Sequence, residues 1–295
     1  MPVVLPVWAP HAPLQHLAFD WSQQAAVELA VLRLDLLDPL ISGNKWFKLV
    51  HHLQAAQALA AEGVISLGGA HSNHLHALAA AGKRFNFKTV GLLRGNAQDT
   101  ATVRDLQAFG MQLHWLGYGG YRERHTAEFW SQWEARYPGF YPVPEGGGGL
   151  PGARGCMALV ALMREQLASL GWADYDAWWL AAGTGTTAAG LVLGEAGAHP
   201  VYAALAVPAS HGVAAQLSAI LQEAAAPDAH YQLFDASRAG FAKVDPELLS
   251  FMQASEAASG VPLEPLYSAK ALMALRQQVE AGYFARGSRL VFVHA

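Results

Sequence analysis

The chain has 295 residues, 53% hydrophobic and only 14% charged, which is material for one large core or two domains and argues against disorder. A formal net charge of -4 with no run of Lys or Arg excludes a basic field for nucleic acid, and the single cysteine, Cys156, excludes an internal disulfide framework and suits a reducing compartment. The opening residues lack the basic and long apolar regions of a signal peptide. The longest uncharged apolar stretch, 177–194, is broken by Gly183, Gly185 and three threonines, so a cytoplasmic protein without a membrane span is expected.

Taken in order, the pattern predicts a strand over 29–34 and a helix from about 44 to 61, with Leu49, Leu53, Ala56 and Leu59 on one face and Gly63 as its stop. Alternating strands and helices follow: strand 64–67, helix 73–82, strand 89–93, helix 99–109, strand 112–116, helix 123–136 and strand 140–143. The four-glycine run at 146–149 is the sharpest change of composition and marks a domain crossing. Beyond it come helix 155–171, strand 177–181, helix 186–197, strand 201–207, helix 212–225, strand 231–234, helices 246–260 and 268–282, and strand 290–294. Such alternation predicts an α/β fold of two three-layer α/β/α domains with mostly parallel sheets.

Four stretches carry candidate chemistry. In Ser42-Gly43-Asn44-Lys45-Trp46-Phe47-Lys48 a lysine opens a helix, where the macrodipole disfavours a cation and apolar flanks desolvate it. A lysine in that setting is either an ordinary surface residue or a neutral amine nucleophile, and Lys48, one turn on, is the rival. Gly68-Gly69-Ala70-His71-Ser72-Asn73-His74 lies between a strand and a helix, so Ser72 either caps the helix or presents a hydroxyl to a ligand. The spacing of His71, His74 and His76 invites a metal, but His76 leaves the shared face and no carboxylate or cysteine stands nearby, so no metal is expected.

The third stretch is Gly183-Thr184-Gly185-Thr186-Thr187, again between strand and helix. Backbone N–H groups and threonine hydroxyls there form a cup for phosphate, or simply a glycine-rich turn. No lysine follows, so it is not a Walker loop, and the spacing is not that of a dinucleotide fingerprint. In the fourth, Glu264-Pro265-Leu266-Tyr267-Ser268-Ala269-Lys270, Tyr267 lines a pocket or is half-buried, and Ser268 either caps a helix or reaches a ligand.

In this order and spacing the four stretches resemble the fold-type II pyridoxal phosphate (PLP) enzymes of the 1-aminocyclopropane-1-carboxylate (ACC) deaminase and D-cysteine desulfhydrase family, which share the tryptophan synthase beta-like fold. The resemblance runs from Arg33-Leu34-Asp35 to the last strand, and its specific parts are G-N-K-x-x-K-L and Ser72-Asn73. It implies that Lys45 holds PLP as a Schiff base, that Asn73 binds the phenolic oxygen and that Gly183, Thr184, Gly185, Thr186 and Thr187 bind the phosphate. Ser268 would meet the pyridine nitrogen. Ser72 and Tyr267 would join Lys45 in catalysis, and Ser72, Asn73, His74 and His71 would face a small amino-acid substrate. It also implies a homodimer, with 1–47 and 146–295 as the large PLP-binding domain and 48–145 as a smaller one.

ACC-deaminase members resemble one another in carrying a glutamate after the tyrosine, which holds the pyridine nitrogen protonated. Ser268 is neutral and cannot favour that proton by charge. A weaker electron sink suits loss of a thiol from Cβ better than opening of a cyclopropane. The expectation is therefore β-elimination by a D-cysteine desulfhydrase, with ACC deaminase and a PLP-binding protein without turnover as the alternatives. The chain differs from the family at His71, where Gln or Tyr is common, at Phe241, where a second tyrosine is frequent, and at His294-Ala295, where relatives continue His-Thr-Gly-Gly.

Overall fold

Two adjacent tryptophans show how one of the sheets is covered. Trp178 and Trp179 are both fully buried. Trp178 Nε1 donates to the Glu195 carboxylate at 2.6 Å, and Trp179 Nε1 donates to the Ala271 carbonyl at 2.8 Å. Successive strand residues point to opposite faces, so each face of this strand is roofed by a different helix.

The computed structural model describes residues 2–240 and 243–295. Its strands are β1 (Leu14–Leu17), β2 (Glu28–Arg33), β3 (Gly63–Gly68), β4 (Lys88–Leu93), β5 (Gln112–Trp115), β6 (Phe140–Pro142), β7 (Ala177–Ala182), β8 (Val201–Leu205), β9 (Tyr231–Asp235) and β10 (Arg289–His294). Its helices are α1 (Asp20–Gln24), α2 (Lys45–Ala58), α3 (Asn73–Phe85), α4 (Ala101–Ala108), α5 (Gly117–Arg122), α6 (Ala127–Arg136), α7 (Gly149–Cys156), α8 (Ala158–Arg164), α9 (Thr186–Glu195), α10 (Val213–Glu223), α11 (Pro246–Ser259) and α12 (Ser268–Glu280). Among the described residues no helix is long and apolar enough to cross a membrane.

The chain divides into two compact units, Met1–Pro10 with Asp38–Gly155, and His11–Leu37 with Cys156–Ala295. The first holds a parallel sheet in the order β5-β4-β3-β6. Ile65, Leu67, Val90 and Leu92 form one buried face with Tyr121, Phe129 and Trp133. Ser66, on the opposite face, meets His74 of α3.

The second unit holds the sheet β1-β2-β10-β7-β8-β9, parallel except for the antiparallel edge pair β1–β2. Leu29, Val31, Trp179, Leu290 and Phe292 face α12 residues Leu272 and Leu275 in a large core. Each unit is a mostly parallel sheet covered by helices on both faces, the α/β arrangement expected from the alternation of strands and helices.

The unit boundaries fall outside the expected divisions at 47/48 and 145/146. The reason is packing of α2. Its apolar face, Leu49, Leu53 and Ala56, is buried along the helix, and the whole of α2 lies in the first unit. The glycine run belongs to the same unit: His52 Nε2 donates to the Gly148 carbonyl at 3.0 Å. Farther on, a Cβ at Gly155 would lie 1.8 Å from the Phe47 carbonyl oxygen, so only glycine lets α7 approach α2 this closely.

Candidate active site

In the first unit Lys45 is the first residue of α2 and is half-buried. Asn44 precedes it as N-cap but makes no side-chain capping bond; its Oδ1 accepts from Lys45 Nζ at 2.5 Å. Trp46 and Phe47 are buried beside it, and the Trp46 ring packs edge-on against Trp8 at 4.4 Å. Lys48 is buried too and lies against Gly147.

The turn after β3 places Ser72 at the N-cap of α3, where its Oγ accepts from the Leu75 amide at 3.2 Å. Asn73 and His71 are exposed, and Ser72 is half-buried. His74 turns inward instead. Its Nε2 is 2.8 Å from Ser66 Oγ, whose single proton goes to the Val143 carbonyl at 2.8 Å. Ser66 can then only accept, which fixes the Nε2–H tautomer and leaves Nδ1 with a lone pair. No described group hydrogen-bonds that buried Nδ1. Burial above all, then the charges of Lys45, Lys48 and His52, hold the His74 pKa well below the usual histidine value. The three histidines do not converge: His71 is exposed, His74 meets Ser66 and His76 pairs with Asp105 at 3.3 Å.

In the second unit β7 runs into the glycine–threonine turn and α9. Gly185 caps α9 with φ +73°, a conformation that favours glycine. Thr186 and Thr187 are buried in the first turn, and Thr184 Oγ1 lies 3.0 Å from Thr186 Oγ1. Tyr267 closes on this turn: a Cβ at Gly183 would come within 2.9 Å of its ring.

Ser268 opens α12 and is buried, with its hydroxyl turned to the Glu264 main chain. It accepts from the Glu264 amide at 2.8 Å and donates to the Glu264 carbonyl at 3.2 Å. The N-cap residue of α12 is Tyr267, whose side chain makes no capping bond; Glu264 supplies the capping group instead. Its carboxylate accepts from the Tyr267 and Ser268 amides at 2.7 and 2.6 Å and from the Leu266 amide at 2.8 Å. An acidic group there also complements the helix dipole.

A family profile for pyridoxal-phosphate dependent enzymes matches residues 11–295. The chain belongs to this family. It is 26% identical over 297 residues to a protein of Pyrococcus horikoshii provisionally named 1-aminocyclopropane-1-carboxylate deaminase, covering 96% of this chain and 88% of that one. Among solved structures it is similar to an ACC deaminase homologue, with a TM-score of 0.82 and 22% identity over 99% of this chain and 90% of the other. It is also similar to a hydrogen sulfide-producing enzyme of Fusobacterium nucleatum, with a TM-score of 0.70 and 12% identity over 96% and 92%.

The cofactor is PLP, and the donor set fits it. The first unit carries a half-buried amine at a helix start, the kind of group that condenses with an aldehyde; the second, taken by itself, carries hydroxyls and backbone N–H groups at the head of α9, the kind that bind a phosphoryl group. Lys45, Ser72, Asn73, His71 and His74 therefore lie in the first unit, and Gly183, Thr184, Gly185, Thr186, Thr187, Tyr267 and Ser268 in the second. Phe241 lies outside the described residues.

Sequence reasoning missed Ser66, Glu264 and His52. Ser66 had a signal, a lone hydroxyl in the apolar run Val64-Ile65-Ser66-Leu67. So did Glu264, an acidic residue four before the first helical position.

Proposed function

We propose that this fold-type II enzyme is a lyase that eliminates a thiol from a small amino acid, converting D-cysteine and water to pyruvate, ammonia and hydrogen sulfide. The observation that carries this reading is the start of α12. Ser268 is neutral, the first turn of the helix holds no acidic residue, and the nearby Glu264 carboxylate is committed to three backbone amides. Among the described residues no carboxylate stands at the position after Tyr267, so a ring nitrogen meeting Ser268 would have a neutral partner there, which weakens the electron sink but leaves it adequate for a good leaving group.

Pyridoxal phosphate, when bound, supplies the sink for the electron pair left at Cα. Lys45 would hold its aldehyde end, and its free amine would accept the proton from the substrate Cα. Asn73 would bind the phenolic oxygen, and Gly183, Thr184, Gly185, Thr186 and Thr187 would hold the phosphate. Ser268 would meet the ring nitrogen by turning its hydroxyl proton from the Glu264 carbonyl, the longer of its two contacts at 3.2 Å. Tyr267 packs beside cofactor and substrate, and Ser72, with His71 and Asn73, receives the substrate carboxylate. His74 is buried and neutral, so its contribution is to shape the floor of the lysine end. The preference for the D antipode rests on family resemblance. The reading includes a cytoplasmic homodimer, checked by an apparent mass of two chains in size-exclusion chromatography.

The second reading, ACC deaminase, is favoured by the provisional names of the Pyrococcus relatives. One assay separates the two. D-cysteine, L-cysteine and ACC are supplied to the PLP-loaded protein, and pyruvate, sulfide and 2-oxobutyrate are measured. Sulfide with equimolar pyruvate from D-cysteine is expected. Robust 2-oxobutyrate from ACC without sulfide reverses the ranking, and bound cofactor with no product from any substrate points to a binding protein.

A further inference from the structure

Lys270 sits on α12 and is 1% exposed, less than the other buried lysine or arginine residues described, Lys48 and Arg33. Its ammonium donates to the carbonyls of Gly240 at 3.0 Å, Ser237 at 3.2 Å and Ala206 at 3.5 Å. An ammonium has three donors and no acceptor, so the partners match it in number. All three are neutral dipoles, and no described carboxylate pairs with it. Burial pushes its pKa down and Arg238 adds to this, while Glu264 and Asp245 oppose it electrostatically. A ring of backbone carbonyls facing a single positive charge is the chemistry that replaces the hydration shell of a monovalent metal ion.

We propose that Lys270 is a tethered substitute for a monovalent cation. Its charge clamps the residue after β8 and the 237–240 loop to α12, the helix that begins at Ser268. It is a positioning residue: it acts through α12 and makes no contact with substrate. The role stands on the second unit alone and is independent of which amino acid the enzyme consumes. The Lys270 stem also lines a cavity of about 170 Å³ with Asp235, Arg238, Met273 and Gln277. Shortening that stem opens the carbonyl ring to a small ion from this side.

The test is thermal unfolding of the PLP-loaded wild type, Lys270→Ala and Lys270→Met in chloride salts of potassium, ammonium or tetramethylammonium at equal ionic strength. The wild type should melt at one temperature in all three. Lys270→Ala should melt at least ~5 °C lower in tetramethylammonium. It should regain at least half that loss in about 100 mM potassium or ammonium, with the gain rising with concentration as mass action requires. Lys270→Met, whose stem fills the ion's place, should stay low in every salt. The proposal is overturned if Lys270→Ala melts alike in the three salts, if it matches the wild type, if the wild type shows the same salt response, or if the alanine variant yields no folded protein in any of them.

Discussion

Glu195 in one unit and His74 in the other are both buried polar groups, and the fold satisfies them to different degrees. Glu195 accepts from Trp178 Nε1 at 2.6 Å, Arg164 Nη2 at 2.6 Å, His199 Nδ1 at 2.8 Å and the Tyr175 hydroxyl. Four donors saturate the carboxylate and tie β7, α8 and α9 together. His74 has a partner on one ring nitrogen and none among the described groups on the other, beside two lysines. Saturated buried groups are architecture, whereas a buried group left short marks where a protein reserves capacity for something else. By that criterion the Glu195 end of α9 is framework, and the lysine end of the first unit is the end to which the proposed function assigns chemistry.

The contrast is broken most strongly by Glu195→Ala, which orphans Arg164, Tyr175, Trp178 and His199 at once. Denaturant unfolding should show a loss of about 3–5 kcal/mol; a loss below ~1 kcal/mol would remove Glu195 from the framework.

At the other end of the same helix, Thr186→Val should leave stability nearly unchanged and weaken PLP binding roughly 10- to 100-fold in a fluorescence titration, the worth of one hydrogen bond to a charged group. Unchanged affinity would detach the threonine turn from the phosphate. Ser66→Ala strips the His74 Nε2–H of its acceptor and should cost about 1–3 kcal/mol by the same unfolding assay.

Acidification gives the smallest effect per group. His74, His52 and His294 are held neutral chiefly by burial, with pKa values below the unfolded 6.5. The unfolded chain therefore takes up protons that the folded chain refuses. Stability is complete above pH 6.5 and falls below it, by up to about 1.4 kcal/mol per pH unit per histidine. A denaturant midpoint that stays flat from about pH 8 to pH 5 contradicts this.

Much of this was legible in the sequence because parallel strands buried on both faces leave short apolar runs between glycine-marked turns. The runs at 64–67, 89–93 and 201–207 and the turns at 68–72 and 183–187 announce themselves in that way. Edge elements do not. β1 is a four-residue strand, Leu14–Leu17, with burial only at its two ends, so it has neither an apolar run nor a clean alternation. The expected helix over 155–171 is instead α7, α8 and a 3-10 turn, Leu167–Leu170; Gly171 ends it as a left-handed cap, a local signal, whereas the tight approach of Gly155 to α2 is a tertiary demand.

At the site, residue types were readable and their partners were not. Ser268 was expected either to cap α12 or to reach a ligand, and Glu264 caps the helix in its place. His74 was expected to face substrate; it is buried, with Nε2 on Ser66 of β3, the strand that leads into α3.

The central claim is that the amine of Lys45 carries the cofactor. Borohydride reduction of the PLP-loaded protein, followed by proteolysis and mass spectrometry, locates the bond directly. The account predicts a single pyridoxyl adduct on the peptide containing Lys45, absent in Lys45→Ala; an adduct on Lys48 or Lys270 in the wild type would contradict it.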